Sequence, residues 1–215
     1  LRAKREANIE IEVIPWEQEA GLMIKGVLWK LPNTEKGILA FDIGGGSTEF
    51  ILARDRKIVS AFGTLLGAIR LTEKFISRHP IDVSEYKSLE DFLRRELREV
   101  KDKLSDFSPE LLLGTAGTVT TLAAIDENIY PYDSEKIHGK SITFRRVKEI
   151  LEDLKRRSLD QRLAMKTIEK GREDLIIAGG ALTLEIMRIF NCNLLTISDY
   201  GLREGLALDV LNQEC

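Results

Sequence analysis

Cysteine, histidine and proline are scarce in this chain of 215 residues, which holds two cysteines, two histidines and five prolines. Cys192 and Cys215 fit no metal-site spacing, so we expect reduced thiols and, by default, a cytoplasmic protein. His79 and His138 have no spacing typical of a metal pair or of a nucleophile relay, and we interpret both as surface or loop residues.

The chain also lacks a long apolar run and a large excess of one charge. No run approaches the length of a membrane span and the start shows no signal-peptide pattern, so we expect no membrane partner. The net charge of −3 argues against a general polyanion binder, DNA-binding proteins included. Residues 140–172 nevertheless hold eleven Lys or Arg and five acids. This excess either attracts an anionic ligand or is the solvated face of helices.

Residues 38–54, with the sequence ILAFDIGGGSTEFILAR, are the most informative stretch. Two apolar runs flank a glycine-rich centre, a pattern that predicts a strand, a tight turn and a second strand. Glycine permits positive φ and a close approach of the backbone to a ligand. Backbone N–H groups and two hydroxyls then form a nest for phosphate oxygens. The predicted phosphate ligands are Gly44, Gly45, Gly46, Ser47 and Thr48.

Two acids, Asp42 and Glu49, border this loop. A carboxylate beside bound phosphate is repulsive unless a cation lies between them, so the pair predicts a hard cation such as Mg²⁺. A plain hairpin with Asp42 as a turn acid remains the alternative. The loop is not a P-loop, since no Gly-Lys-Ser/Thr follows. It is not a Rossmann loop either, because the glycines lead into a strand-like run.

Strand and helix patterns alternate along the chain, which predicts an α/β domain with a mixed sheet flanked by helices. After the hairpin, strands are predicted at 58–66, 111–113, 142–144 and 194–198. Helices are predicted at 16–30, 69–78, 84–107, 119–125, 145–168, 175–190 and 201–211. Apolar alternation also predicts a strand at 9–14, which has no evident sheet partner nearby in sequence.

Four motifs together resemble the exopolyphosphatase/guanosine pentaphosphate phosphohydrolase (Ppx/GppA) family. They are Asp-Ile-Gly-Gly-Gly-Ser-Thr-Glu at 42–49, Leu-Gly-Ala-Ile-Arg-Leu-Thr-Glu at 66–73, Gly-Thr-Ala-Gly-Thr at 114–118 and Ser-Asp-Tyr-Gly-Leu-Arg-Glu-Gly at 198–205. The resemblance implies an actin-like (ribonuclease H-like) ATPase domain. It also implies a preceding half with a phosphate loop of Asp-x-Gly-Ser-Asn-Ser type, and nothing like that loop occurs in this sequence.

The resemblance therefore predicts that residues 1–31 are a remnant of a first domain plus an interdomain helix. Residues 32–215 are then the second actin-like phosphatase domain. A homodimer is a further possibility that the family implies.

The resemblance also implies residue roles. Glu19 resembles the catalytic base that orients the attacking water, and Asp42 acts beside it. Asp42 and Glu49 resemble the metal ligands. Gly117 and Thr118, at a strand-to-helix turn, and Arg172 resemble further phosphate ligands, although close packing and a surface ion pair are the respective alternatives. Arg203 and Glu204 are interpreted as an interhelix ion pair.

The implied activity is hydrolysis of the terminal phosphoanhydride of polyphosphate or guanosine pentaphosphate with Mg²⁺. The alternative is a non-catalytic regulatory module that binds phosphate or guanosine tetraphosphate. The position of Glu19 separates these two hypotheses: facing the glycine loop favours catalysis, whereas facing solvent favours binding. ATPase or sugar-kinase chemistry is a weaker third hypothesis.

Overall fold

The computed structural model describes residues 2–32, 34–104 and 107–213. The strands within these ranges are β1 (Ile38–Ile43), β2 (Thr48–Arg54), β3 (Lys57–Thr64), β4 (Leu111–Thr115), β5 (Ser141–Thr143) and β6 (Leu194–Ile197). The helices are α1 (Arg2–Ala7), α2 (Trp16–Val27), α3 (Ala68–Phe75), α4 (Val83–Lys103), α5 (Gly117–Asp126), α6 (Ser134–Ile137), α7 (Phe144–Arg156), α8 (Leu159–Leu163), α9 (Ile176–Ile189) and α10 (Leu202–Gln213).

The six strands form one mixed sheet in the order β3-β2-β1-β4-β6-β5. The hairpin strands β1 and β2 are antiparallel, and β3 continues antiparallel on the outer side of β2. On the other side β1 runs parallel to β4, and β4 runs parallel to β6. The short strand β5 closes this edge, antiparallel to β6. The predicted mixed α/β sheet is confirmed.

Alternation along the strands divides the core between the two faces of the sheet. Leu39 and Phe41 of β1 face the larger core, which includes residues of α3, α4, α5, α7 and α9. Ile38 and Ala40 face the other way and pack against α2. Since successive side chains point to opposite faces, Asp42 shares the face of Ala40. By the same rule Glu49 shares the face of Ile51, which also packs against α2.

Helices α2 and α10 approach each other closely through glycine. A Cβ on Gly205 would lie 1.7 Å from the Leu22 carbonyl oxygen, and one on Gly26 would lie 1.9 Å from the Gly201 oxygen. The closing motif is therefore a helix-packing motif. The predicted interhelix ion pair is wrong: Glu204 accepts a hydrogen bond from the Gly201 N–H at 2.8 Å, and Arg203 is 90% exposed and 3.8 Å from Glu204.

The predicted strand at 9–14 is also wrong, since these residues form no strand in the structure. Their alternating apolar side chains lie in solvent, with Ile11 75% and Val13 91% exposed. A strand needs a neighbour that pairs with its backbone groups, and the described chain supplies none here. Upstream, the polar start forms the short helix α1, which the sequence did not predict.

The basic segment 140–172 is largely neutralised by its own surroundings. Six of its eleven cations form ion pairs: Lys140, Arg145, Arg146, Lys155, Arg157 and Arg172. Arg162 is fully buried and donates to the carbonyl oxygens of Leu154, Arg157 and Glu173. These contacts favour the structural interpretation of this segment.

No helix in the described part of the chain has the length and apolar character needed to cross a membrane.

Candidate functional site

The predicted site residues gather at the carboxyl ends of the parallel strands β1 and β4. Loop 44–47 follows β1, and Ala116 alone separates β4 from α5. Asp42 and Thr115 are directly paired across these two strands. Ligands of open α/β sheets bind outside the carboxyl ends of the strands, so this edge is the expected position for a site.

Helix α3 supports the glycine loop through backbone hydrogen bonds. Gly44 donates its N–H to the Ser47 carbonyl at 3.0 Å, which closes the turn. The first N–H groups of α3 donate to loop carbonyls, Ala68 to Gly44 at 2.9 Å and Ile69 to Gly45 at 3.0 Å. The N–H groups of residues 45–47 have no hydrogen-bond partner among the described residues. Three adjacent donors are thus left for a ligand, as in an anion-binding nest.

Close packing, and not positive φ, explains Gly45 of this loop. Within the described chain, glycine has positive φ only at 139 and 171. A Cβ on Gly45 would lie 2.8 Å from Ile69 Cδ1, and one on Gly67 would lie 2.2 Å from the Gly45 oxygen. Gly46 has nothing within 4 Å of its Cβ position and is exposed. A ligand can therefore approach the backbone at Gly46.

The two hydroxyls of the loop have different partners. Thr48 is fully buried and donates to the Leu66 carbonyl at 2.5 Å, so it supports the loop from inside the sheet and its hydroxyl does not face a ligand. Ser47 is partly exposed and donates to Glu49 Oε1 at 2.5 Å. Ser47 thereby orients one of the two predicted metal ligands.

Three carboxylates meet on the α2 face of this edge. Asp42 and Glu49 are opposite each other in the β1–β2 pair. Burial, then the charges of Glu49 and Glu19, raise the pKa of Asp42 from 3.8 to about 6. Glu19, in the first turn of α2, is solvent-exposed yet close enough to Asp42 to affect its titration. The structure thus brings Glu19 to the glycine-loop edge.

Asp42 and Glu49 suit a magnesium ion that shares its coordination with a ligand. Among the described residues there is no group of three or more acids, histidines or cysteines that could hold a metal. Mg²⁺ commonly takes one or two carboxylates and completes its coordination with phosphate oxygens and water. Burial, followed by the negative charges of Glu49 and Glu19, raises the pKa of Asp42, and a cation would offset both effects.

The other predicted phosphate ligands line a cavity of about 220 Å³ on the α9 side of the loop. Its walls include Gly44, Gly45, Gly117, Thr118 and Arg172. The Arg172 guanidinium lies directly over Gly117, where a Cβ would be 1.3 Å from Nη1. Arg172 Nε donates a hydrogen bond to Glu169 Oε2 at 2.8 Å. The cavity and the carboxylates therefore flank the glycine loop on opposite sides.

Sequence reasoning missed two features of this edge. Ala116 has φ 70° and ψ 175°, a conformation that L-residues rarely adopt and that is held only where the surroundings impose it. Thr118, in turn, packs its side chain against Gly179 of α9, where a Cβ would be 2.4 Å from Oγ1. The Thr118 side chain thus lies at the α9 wall of the cavity. Neither feature has a local signal in the sequence, and the Thr118 contact depends on the packing of α9.

The strand order and the site at its carboxyl edge define an α/β domain of the actin-like ATPase class. The Ppx/GppA phosphatase family matches residues 1–214, and the chain belongs to that family. A crystal structure of the Aquifex aeolicus member of the Ppx/GppA family superposes with a TM-score of 0.88 and 33% identity, covering 99% of this chain and 68% of that one.

Two relatives show how far the similarity extends. A bifunctional 3-dehydroquinate synthase/phosphatase of Fusobacterium nucleatum is 34% identical over 209 residues, or 95% of this chain. Exopolyphosphatase 2 of Mycobacterium tuberculosis is 28% identical over 204 residues, or 93% of this chain. The chain spans 31% of the first protein and 63% of the second.

Proposed function

We propose that this chain is the phosphoryl-binding part of a phosphatase that releases terminal phosphate from polyphosphate or from guanosine pentaphosphate. One observation carries the proposal: Asp42 and Glu49, with Glu19 close enough to affect Asp42, lie beside a loop in which the N–H groups of residues 45–47 have no hydrogen-bond partner among the described residues. Similarity to exopolyphosphatases supports the substrate class.

The residues of the chain then divide the work of phosphoryl transfer, which needs positioning and charge stabilisation more than covalent catalysis. The free N–H groups of the glycine loop hold oxygens of the terminal phosphoryl group and stabilise its charge. Glu19 accepts a proton from water as the water oxygen bonds to phosphorus. The bridging P–O bond breaks, and the shortened phosphate chain leaves with the electron pair.

Magnesium belongs to the same proposal. Asp42 and Glu49 would hold it at the side of the loop facing α2, and its charge would neutralise phosphate oxygens when bound. Without the cation the pKa of Asp42 is about 6, and bound Mg²⁺ would lower this pKa and keep the carboxylate ionised at neutral pH.

The cavity beside Gly117 has room for a phosphate group of the substrate and not for a whole nucleotide. Its volume of about 220 Å³ lies below the roughly 300–1,000 Å³ of pockets that enclose drug-sized ligands. Arg172 at its wall has the planar fork that suits two phosphate oxygens. Because the cavity and the acids flank the loop on opposite sides, the cavity would take a phosphate next to the one under attack, which both candidate substrates have.

The experiment is phosphate release from polyphosphate and from guanosine pentaphosphate, with and without Mg²⁺. It compares this chain with a version extended by the N-terminal half that the family resemblance implies. We expect low activity for the chain alone and Mg²⁺-dependent release by the extended version. In the extended version Glu19→Gln should lose turnover and keep ligand binding. Glu17 is an exposed acid in the same helix turn, so Glu17→Gln is the matched control and should keep both.

Two results would contradict the proposal. Binding of the ligand without turnover by the extended version would favour the regulatory module instead. Equal loss of binding and turnover in Glu19→Gln would assign Glu19 to structure and not to proton transfer.

A further inference from the structure

The buried arginine Arg162 of α8 joins three separate segments of the chain. Its side chain is fully buried, and its Nε donates to the Glu173 carbonyl at 2.6 Å. Its Nη1 donates to the carbonyls of Leu154 at 3.0 Å and Arg157 at 2.9 Å, and its Nη2 lies 2.6 Å from His79 Nδ1. These contacts use every N–H of the guanidinium except one of the two on Nη2. The guanidinium is therefore fixed in one orientation.

Carbonyl groups, and not an ion pair, stabilise the buried charge of Arg162. No carboxylate forms an ion pair with this guanidinium among the described residues. Leu154 lies in the last turn of α7 and Arg157 caps that helix, and the carbonyls at the end of a helix favour a cation. A lysine ammonium would keep the charge but could not reproduce the planar fork that reaches all three carbonyls.

The Glu173 carbonyl connects Arg162 to the cavity beside Gly117. Glu173 directly follows Arg172, so the hydrogen bond from Arg162 fixes the backbone next to the proposed phosphate ligand. The Glu173 carboxylate also accepts from the Gly171 N–H at 2.6 Å, which links the residues on both sides of Arg172. This segment carries the Arg172 guanidinium to its position over Gly117. A shift at Glu173 would therefore move Arg172 relative to the cavity.

His79 connects the same guanidinium to the opposite wall of the cavity. It follows α3 in the chain, and Ala68 and Ile69 of α3 line the cavity and donate to the glycine loop. Arginine only donates hydrogen bonds, so His79 Nδ1 accepts and the imidazole is neutral. A proton on Nδ1 would place an N–H against the guanidinium and break the contact. Burial, followed by the charge of Arg162, lowers the pKa of His79 and favours the neutral form.

We propose that Arg162 is a positioning residue for phosphate binding, which holds Arg172 at the cavity and is made sensitive to pH by its contact with neutral His79. This inference rests on the proposed function, in which Arg172 contacts a substrate phosphate. The charged groups that act on His79 are Arg162 of α8, Asp174 ahead of α9 and Glu85 of α4. A protonated imidazole would be repelled by Arg162 and attracted by the two acids, so it would leave the guanidinium.

The first test is calorimetric titration of tripolyphosphate into this chain. Arg162→Lys keeps the net charge and should weaken binding about fivefold or more, because the fork that fixes Glu173 is lost. In the Arg172→Gln background the same change should alter binding less than about twofold, since the group that Arg162 positions is gone. Arg156→Lys makes the same exchange at an exposed cation of α7 and is the matched control, which should bind as wild type does.

The second test leaves Arg162 unchanged and compares two variants of His79. His79→Asn offers an oxygen close to the Nδ1 position, which accepts from Arg162 and does not titrate. At about pH 7.5 this variant should bind tripolyphosphate as wild type does, whereas His79→Leu, which has no acceptor, should bind about threefold more weakly. At about pH 5, below the ordinary histidine pKa of about 6.5, wild type should bind about threefold more weakly than His79→Asn. Titration of Asp42 and of the ligand is common to both proteins and cancels in this ratio.

Three results would overturn the inference: equal weakening by Arg162→Lys in both backgrounds, no weakening in either, or a pH-independent ratio between wild type and His79→Asn. The His79 variants decide the matter alone if Arg162→Lys does not fold.

Failure of the inference is distinguishable from failure of the proposed function. If Arg172→Gln weakens tripolyphosphate binding while the Arg162 and His79 variants bind normally, the positioning inference alone fails. If Arg172→Gln binds as wild type does, Arg172 is not a phosphate ligand, and its proposed role and this inference fall together. Phosphate release by the extended version tests the hydrolase proposal separately.

Discussion

Replacing Asp42 by Asn should make the folded protein more stable at neutral pH. Asp42 accepts no hydrogen bond from the described residues, and it lies half-buried beside two other acids. These surroundings raise the pKa of its carboxyl from 3.8 to about 6. Asn has nearly the same shape and no charge, so the variant removes the repulsion and keeps the packing.

The sign and size of the effect follow from the linkage between proton binding and folding. Between pH 4 and 6 the folded state binds a proton at Asp42 more tightly than the unfolded state does, so wild-type stability falls as the pH rises through this window. A shift from 3.8 to about 6, at about 1.36 kcal/mol per unit, corresponds to at most about 3 kcal/mol at pH 7. We expect a measured gain of about 1–3 kcal/mol, since screening reduces the full value.

The assay is urea unfolding of wild type and Asp42→Asn at several pH values from 4 to 7.5 with a metal chelator present. The gain should be largest at pH 7 and should vanish near pH 4, where both side chains are neutral. Glu73→Gln, which replaces an exposed acid of α3, is the control and should give no such trend. Added Mg²⁺ should stabilise wild type more than the variant, because only wild type has both carboxylates. A variant that is less stable at pH 7, or equally stabilised at pH 4 and 7, would refute this reasoning.

Four further variants test backbone packing, two at the site and two in the α2–α10 contact. Gly117→Ala should displace Arg172, because the new Cβ would lie 1.3 Å from Nη1. We therefore expect weaker tripolyphosphate binding by calorimetry, and unchanged affinity would show that Arg172 is not a ligand. Gly205→Ala should destabilise the fold by about 1–3 kcal/mol through overpacking against α2. Gly21→Ala, which meets nothing within 4 Å in the same interface helix, should instead stabilise it by about 0.5–1 kcal/mol in urea unfolding; the same sign for both variants would contradict the packing argument. Ala116→Gly should raise the melting temperature, since glycine adopts φ 70° without the cost of about 1–3 kcal/mol that alanine bears there; a lower melting temperature would show that Ala116 is not strained.

The predictions that were confirmed rest on short-range patterns. Apolar runs on both sides of the glycine loop predicted the hairpin, and its pairing then places Asp42 opposite Glu49. The same reasoning was wrong for residues 9–14, because alternation identifies an apolar face but not a partner strand. The expectation of positive φ in the loop was also wrong: Gly45 is required by Ile69, a residue 24 positions further along the chain.

The domain division at residue 31, the dimer, the cytoplasmic location and the metal stay predictions. The function of each site residue is likewise a proposal. The structure shows where each of these residues lies. It brings Glu19 to the acids because α2 packs across the face of the sheet from which Asp42 projects.

The sequence by itself determined the class of the fold, the family and the loop at which the site lies, because these depend on local periodicity and on a contiguous motif. Only the tertiary structure decided which distant residues meet there. Arg172 lies on Gly117, α3 supports the glycine loop, and Arg162 contacts both His79 and Glu173. Such contacts depend on how helices pack on the sheet, and that packing is set by side chains far apart in the chain.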